Sequence, residues 1–201
     1  MSPNLLNILL FSLACVALLG SPGPGIAALV SVGRTRGFGA GLRFYGGLQL
    51  GLAIAAGVSA AGLFSLIAAV PFAVTAMTAA ATLYLGYLAF RIATAPVGAA
   101  AAGPDGIATT ALGGFLLGIT NPKAYLAFVS LMASYSLVGP DLSADAALKW
   151  TICVAVMIVV DIAWLWLGVA IRQVALTERA ERLLNLAMAG TIVATAAIVL
   201  M

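Results

Sequence analysis

The apolar positions of this 201-residue chain fall into long stretches rather than into the short periods of a soluble fold. A helix that crosses about 30 Å of hydrocarbon needs about 20 predominantly apolar residues. Stretches of this length predict an all-α membrane protein with six transmembrane helices. The six cover residues 5–32, 38–63, 67–92, 108–135, 147–171 and 183–200.

The first and fourth stretches are longer than a straight span requires, and proline interrupts both of them. The two interruptions lie 100 positions apart, so each occupies the same place in its half of the chain. Because each half holds an odd number of spans, two similar halves lie in opposite orientations. The pattern therefore predicts one transporter domain over 1–201, built from inverted three-helix repeats of about 1–100 and 101–201, with the binding site at the broken helices.

The first break contains Ser21-Pro22-Gly23-Pro24. A residue that precedes proline is pushed toward extended backbone, so Ser21 and Gly23 are predicted to be non-helical. Pro24 suits the first position of a new helix. The N–H groups of the next turn, Gly25 to Ala27, are then expected to face the break and to bind a carboxylate with the positive end of the helix dipole.

The second break repeats the arrangement with Asn121 as the N-cap and Pro122 at the first helical position. Lys123 adds a full positive charge, and Asp161 is the acidic residue that falls well inside a predicted span. A charge at a helix centre costs about 2.5–3.5 kcal/mol on insertion scales, so such residues face a cavity or a partner and mark a pathway. A purely structural Lys123–Asp161 pair is the alternative.

Polar neighbours complete the set of candidates: Gln49 in the second span, Thr120 and Tyr125 beside the second break, and, more weakly, Asn185 in the sixth span. The predicted ion-coupling residues are Asp161 and Lys123. The predicted substrate-binding residues are Ser21, Pro22, Gly23, Pro24, Gly25, Gln49, Thr120, Asn121, Pro122, Lys123 and Tyr125.

Composition supports the membrane assignment, because 64% of the residues are hydrophobic and 7% are charged, against about 25% charged residues in a soluble domain. The chain has no histidine, and no nucleophile–base pair or cluster of metal ligands is visible. We therefore expect no enzyme, no cofactor and no metal site, and the few charges form no basic stripe for nucleic acid.

Lys and Arg lie mainly in alternate predicted loops, which places those loops in the cytoplasm and both termini outside. The first, third and fifth loops hold seven of them (Arg34, Arg36, Arg43, Arg91, Arg172, Arg179 and Arg182), whereas the other side has Lys149.

Small residues predict close helix packing. Gly47 and Gly51 share one small-xxx-small spacing, and Gly114 and Gly118 share another. Packing within one chain is favoured, and a homodimer interface is the alternative. Cys15 and Cys153 lie in apolar stretches without metal-ligand spacing, so they are expected to be buried small hydrophobic residues rather than a disulfide.

The order of these motifs resembles the lysine exporter superfamily, in particular its LysE/RhtB amino-acid exporter branch. The resemblance rests on the Pro-Gly-Pro motif at 22–24, the Arg/Gly-rich segment at 34–41, and Gly114-Phe115-Leu116 followed by Asn-Pro-Lys at 121–123. It implies ion-driven efflux of amino acids or their derivatives across a bacterial inner membrane. Gly25 departs from the many relatives that have a polar residue there.

Together these observations predict a secondary exporter of a small amino-acid-like solute that is exchanged for protons, with a passive channel as the alternative. The two breaks are expected to meet near the membrane midplane. Lys123 and the exposed helix starts would hold the substrate carboxylate, and Asp161 would bind its ammonium group or a proton.

Overall fold

The computed structural model describes residues 4–62, 71–95, 97, 109–174 and 177–200. The described residues form seven helices and no strand. The helices are α1 (Leu5–Gly20), α2 (Pro24–Ala60), α3 (Pro71–Ala93), α4 (Ala111–Thr120), α5 (Pro122–Ala133), α6 (Leu142–Gln173) and α7 (Glu178–Leu200). Residues 63–70 and 98–108, where the sequence predicts the end of one span and the starts of two others, lie outside the described residues.

Helices end and restart at both proline motifs, as the sequence predicts. The chain bends by 62° between α1 and α2 and by 51° between α4 and α5. Of the described helices, α6 is long and apolar enough to cross a membrane as one piece, and there are up to three such spans if each bent pair counts as one.

The first loop lies where the sequence predicts it but is shorter than expected, because α2 runs through the Arg/Gly-rich segment with only Gly37 outside helical backbone (φ 76°, ψ −176°). The space beside Gly33 and that beside Gly41 are both filled by Leu165, and Gly25 lies next to Leu48. The arms 24–36 and 38–60 therefore run antiparallel. A single glycine in a left-handed conformation reverses the chain where we expected a longer loop.

The two glycine pairs pack against each other within the chain, which confirms the favoured interpretation of this spacing. A Cβ atom at Gly47 would overlap the carbonyl oxygen of Ala111, and one at Gly114 would overlap that of Phe44. The C-terminal arm of α2 and α4 are therefore in backbone-to-backbone contact, which places the end of α4, and with it the second break, beside α2.

Every described helix contributes to the core, in which Phe11, Phe44 and Phe128 are fully buried. Large apolar side chains also cover the outside: Val159 is 65% exposed and Leu126 is 61% exposed. An apolar exterior around an apolar core is the arrangement that lipid rather than water requires.

Candidate substrate site between the two broken helices

The first break has the predicted backbone. Ser21 is extended (φ −70°, ψ 143°), Gly23 is extended, and Pro24 opens α2. One detail of the prediction is wrong: the N–H of Ala27 is not free, since it donates to the carbonyl oxygen of Gly23 at 2.8 Å. The first turn of α2 thus offers fewer free donors than the sequence predicts, and they lie nearer to Pro24.

At the second break Asn121 holds the N-cap position in extended backbone, with Pro122 opening α5. Its backbone carbonyl oxygen accepts from the N–H groups of Ala124 (3.1 Å) and Tyr125 (3.2 Å). Its side chain makes no capping bond, and the Asn121 Oδ1 atom is buried without a hydrogen-bond partner. A buried amide oxygen without a partner costs about 1–3 kcal/mol, so this atom is suited to a ligand.

Lys123 connects the two breaks. Its Nζ donates to the carbonyl oxygen of Ser21 and, at 3.2 Å, to that of Pro22. A Cβ atom at Gly23 would lie 2.7 Å from the Lys123 Cδ atom, so a larger residue there would push the lysine side chain from this position. The prediction that the two breaks face each other agrees with this geometry.

An open cleft lies where the breaks meet, with about 370 Å³ of empty space when the solvent at its mouth is included. Ser21, Asn121 and Lys123 provide its polar side chains, with the backbone of Gly23 and Gly25 beside them. The rest of its wall is apolar and comes from α1, α2, α5 and α6: Leu18, Leu19, Ile26, Leu52, Ala124, Ala127, Phe128 and Met157.

Asp161 does not line this cleft. It is 5% exposed on α6, and its Oδ2 atom accepts a 2.7 Å hydrogen bond from Gln49 Nε2, which also donates to the Met157 carbonyl oxygen at 3.3 Å. Met157 is a cleft residue, so the Gln49–Asp161 pair lies directly behind the wall. No ion pair between Lys123 and Asp161 occurs among the described residues; each acts on the other only by longer-range attraction.

Five other predicted site residues do not line the cleft: Pro22, Pro24 and Pro122 within the breaks, and Thr120 and Tyr125 beside the second break. The Thr120 hydroxyl donates to the carbonyl oxygen of Leu116 in its own helix at 2.6 Å. Tyr125 is buried on α5. The structure therefore brings the break residues together and leaves Gln49, Thr120, Tyr125 and Asp161 in the layer around them.

The weaker expectation that Asn185 lines the cavity is wrong. Asn185 is fully buried near the Gly37 reversal, at the far end of the first arm of α2, where its Oδ1 atom accepts from Arg34. Arg34 also lies 3.8 Å from Glu181, and Arg182 donates to the Ala93 carbonyl oxygen at 2.9 Å. This cluster joins the Gly37 reversal to the end of α3 and the start of α7.

A second polar cluster also escaped the sequence analysis. Lys149, which we assigned to an outer loop, is buried on α6 and pairs with Asp145 at 2.8 Å. Asp145 accepts from the backbone N–H groups of Leu137 and Val138, and Lys149 donates to the Met132 carbonyl oxygen at 3.0 Å. The i, i+4 spacing of Asp145 and Lys149 was the available signal.

Cys15 and Cys153 are buried free thiols, as expected, but their sulfur atoms lie 3.7 Å apart. This contact joins α1 to α6. The two cysteines are 138 residues apart in the sequence, and nothing in the sequence indicates that they meet.

Residues 16–201 match the family model described as LysE type translocator. No curated protein and no solved structure matches the chain. The family consists of membrane transporters rather than enzymes, which implies a small-molecule substrate and a lipid bilayer around the chain.

Proposed function

Since the chain belongs to the LysE type translocator family, we propose that it is a secondary-active exporter of amino acids or amino-acid-like solutes across the bacterial inner membrane. The observation that supports this assignment is the meeting of two broken helices at one cleft. There Lys123 and the buried oxygen of Asn121 lie beside two helix starts. An amino acid has the complementary charges, a carboxylate and an ammonium group.

The carboxylate binds where positive potential is highest, at the first turns of α2 and α5 beside Lys123. The ammonium group needs acceptors, which are the orphan Asn121 Oδ1 atom and the carbonyl oxygens of Ser21 and Pro22. Lys123 holds those carbonyl oxygens in the empty cleft. When substrate enters, its ammonium replaces Lys123 there, and the lysine turns to the carboxylate.

Proton coupling is assigned to Asp161. An ionised carboxylate in a dry interior is costly unless positive charge lies near it, so Asp161 favours the protonated form when no substrate is bound. The ammonium group of a bound substrate, directed toward Asp161, favours the ionised form and releases the proton. When the substrate leaves on the other side, Asp161 takes up a proton there, so the proton and the substrate exchange across the membrane.

The helix pairings support two inverted repeats around this site. Each broken helix packs on a helix of the other half: α1 packs on α6, and α4 packs on the C-terminal arm of α2, while α3 and α7 pack on each other. If the two halves are exchanged, the contact of α1 with α6 becomes that of α4 with the C-terminal arm of α2, and the contact of α3 with α7 stays the same. Rocking of the repeats around the fixed cleft would open it to each side in turn.

Transport by the purified protein in liposomes tests the proposal. We expect saturable amino-acid efflux that a proton gradient drives, and Lys123→Ala should abolish it while the protein still inserts. Arg179→Ala, which removes an exposed cation far along the chain from both breaks, is the matched control. Flux that does not saturate and ignores collapse of the gradient would indicate the channel instead.

A further inference from the structure

Two kinds of side chain line the cleft. Ser21, Asn121 and Lys123 at the breaks form its polar end, whereas Leu52, Phe128 and Met157, which lie inside α2, α5 and α6, form the wall of an apolar end. Phe128 is six residues beyond Pro122, about 9 Å along α5. Phe128 is fully buried and Met157 is 3% exposed, so this wall is fixed by the core behind it. A substrate whose head group binds at the breaks directs its side chain against this wall.

No acidic side chain of the described residues lines the cleft. The nearest carboxylate, Asp161, is buried behind Met157 and already accepts from Gln49. A cationic side chain on the substrate would therefore enter an apolar wall without a partner, beside the positive charge of Lys123. An acidic side chain would meet the same apolar wall, with the one nearby cation already engaged by the substrate carboxylate.

Resting on the proposed function, we propose that the exporter selects amino acids with uncharged aliphatic side chains and excludes basic ones. The polar end binds the α-amino and α-carboxylate groups common to all of them. The apolar wall supplies the selection, because burying a charge there without a counter-charge is unfavourable whereas burying methylene groups is favourable.

Norleucine and lysine form the sharpest pair of substrates, since they share the same four-carbon side chain and differ by the terminal ammonium group. Initial rates of export are measured for both, with wild-type protein in liposomes under a fixed proton gradient. The expected kcat/KM is about 10- to 100-fold higher for norleucine. Equal rates, or faster lysine export, overturn the selectivity but leave the exporter assignment intact. If neither amino acid moves, both proposals fail.

A matched pair of variants then tests the wall itself. Leu52→Glu places a carboxylate at the apolar end, and Leu52→Gln has nearly the same shape without the charge. Glu should raise lysine export relative to norleucine by about tenfold, whereas Gln should leave the ranking unchanged. If Leu52→Glu still exports norleucine and its ranking is unchanged, the side chain lies elsewhere and the inference is wrong. If that variant fails to insert, the comparison of norleucine and lysine export by the wild-type protein still tests the proposed selectivity.

Discussion

At the residue scale, a substitution at Asp161, the hydrogen-bond partner of Gln49, can distinguish a role in proton coupling from a role in packing. Asp161→Asn keeps the shape and a hydrogen-bonding oxygen for Gln49, but it removes the group that we propose to titrate. We expect this variant to retain amino-acid exchange across liposomes while it loses acceleration by an imposed pH gradient. Asp141→Asn is the control, because Asp141 is the exposed N-cap of the same helix and Asn also caps well. An Asp161→Asn protein with wild-type gradient dependence would contradict the assignment.

The buried pair of Asp145 and Lys149 makes a prediction about stability. Both side chains are almost fully buried and 2.8 Å apart, so removing one partner leaves the other charge without compensation. Lys149→Met should lower the free energy of unfolding by about 3–5 kcal/mol. The double variant with Asp145→Asn should recover part of that loss. Thermal denaturation in detergent measures the stability of wild type, the two single variants and the double variant. Losses that simply add in the double variant would show that the two groups do not interact.

At the scale of helices, the contact between α2 and α4 rests on glycine. Gly47→Ala should lower stability by about 1–3 kcal/mol, because its Cβ atom would meet the backbone of Ala111 and force the helices apart. Gly46→Ala is the matched control one residue earlier, where a Cβ atom has no neighbour within 4 Å. The helix propensity gained is the same at both positions, so the difference in melting temperature reports packing alone. Equal shifts would be inconsistent with this contact.

The helix breaks could be predicted from the sequence because proline acts on its own neighbours and needs no tertiary context. A turn between the first two spans was also expected, but not that Gly37 alone makes it, since an Arg/Gly-rich segment is equally compatible with a longer loop. That the Leu165 side chain fills the space beside both arms was visible only in three dimensions. The contact between Cys15 and Cys153 was likewise visible only in the structure. So was the free side chain of Asn121, because the type and position of this residue predict a capping bond that its side chain does not make.

At the scale of the whole molecule, the charged residues divide the structure into two ends. Arg34, Glu181 and Arg182 meet beside the Gly37 reversal. At the opposite end the backbone N–H of Asn4 donates to the Leu137 carbonyl oxygen at 3.0 Å. The described parts of the predicted first, third and fifth loops therefore gather at one end, and Asn4 lies at the other. This agrees with the loop grouping, and the excess of arginine predicts that the first of these ends faces the cytoplasm.

Labelling of single cysteines decides this orientation. Cys15 and Cys153 are replaced by alanine, and exposed positions are chosen: Gly39→Cys at the arginine-rich end and Ser143→Cys at the other. A membrane-impermeant maleimide should label Ser143→Cys in intact spheroplasts and Gly39→Cys only after permeabilisation. Gly39 has open space around a Cβ atom, so the change itself is tolerated. The reverse pattern would contradict the predicted topology, although the direction of substrate movement, which the proton gradient sets, would stay the same.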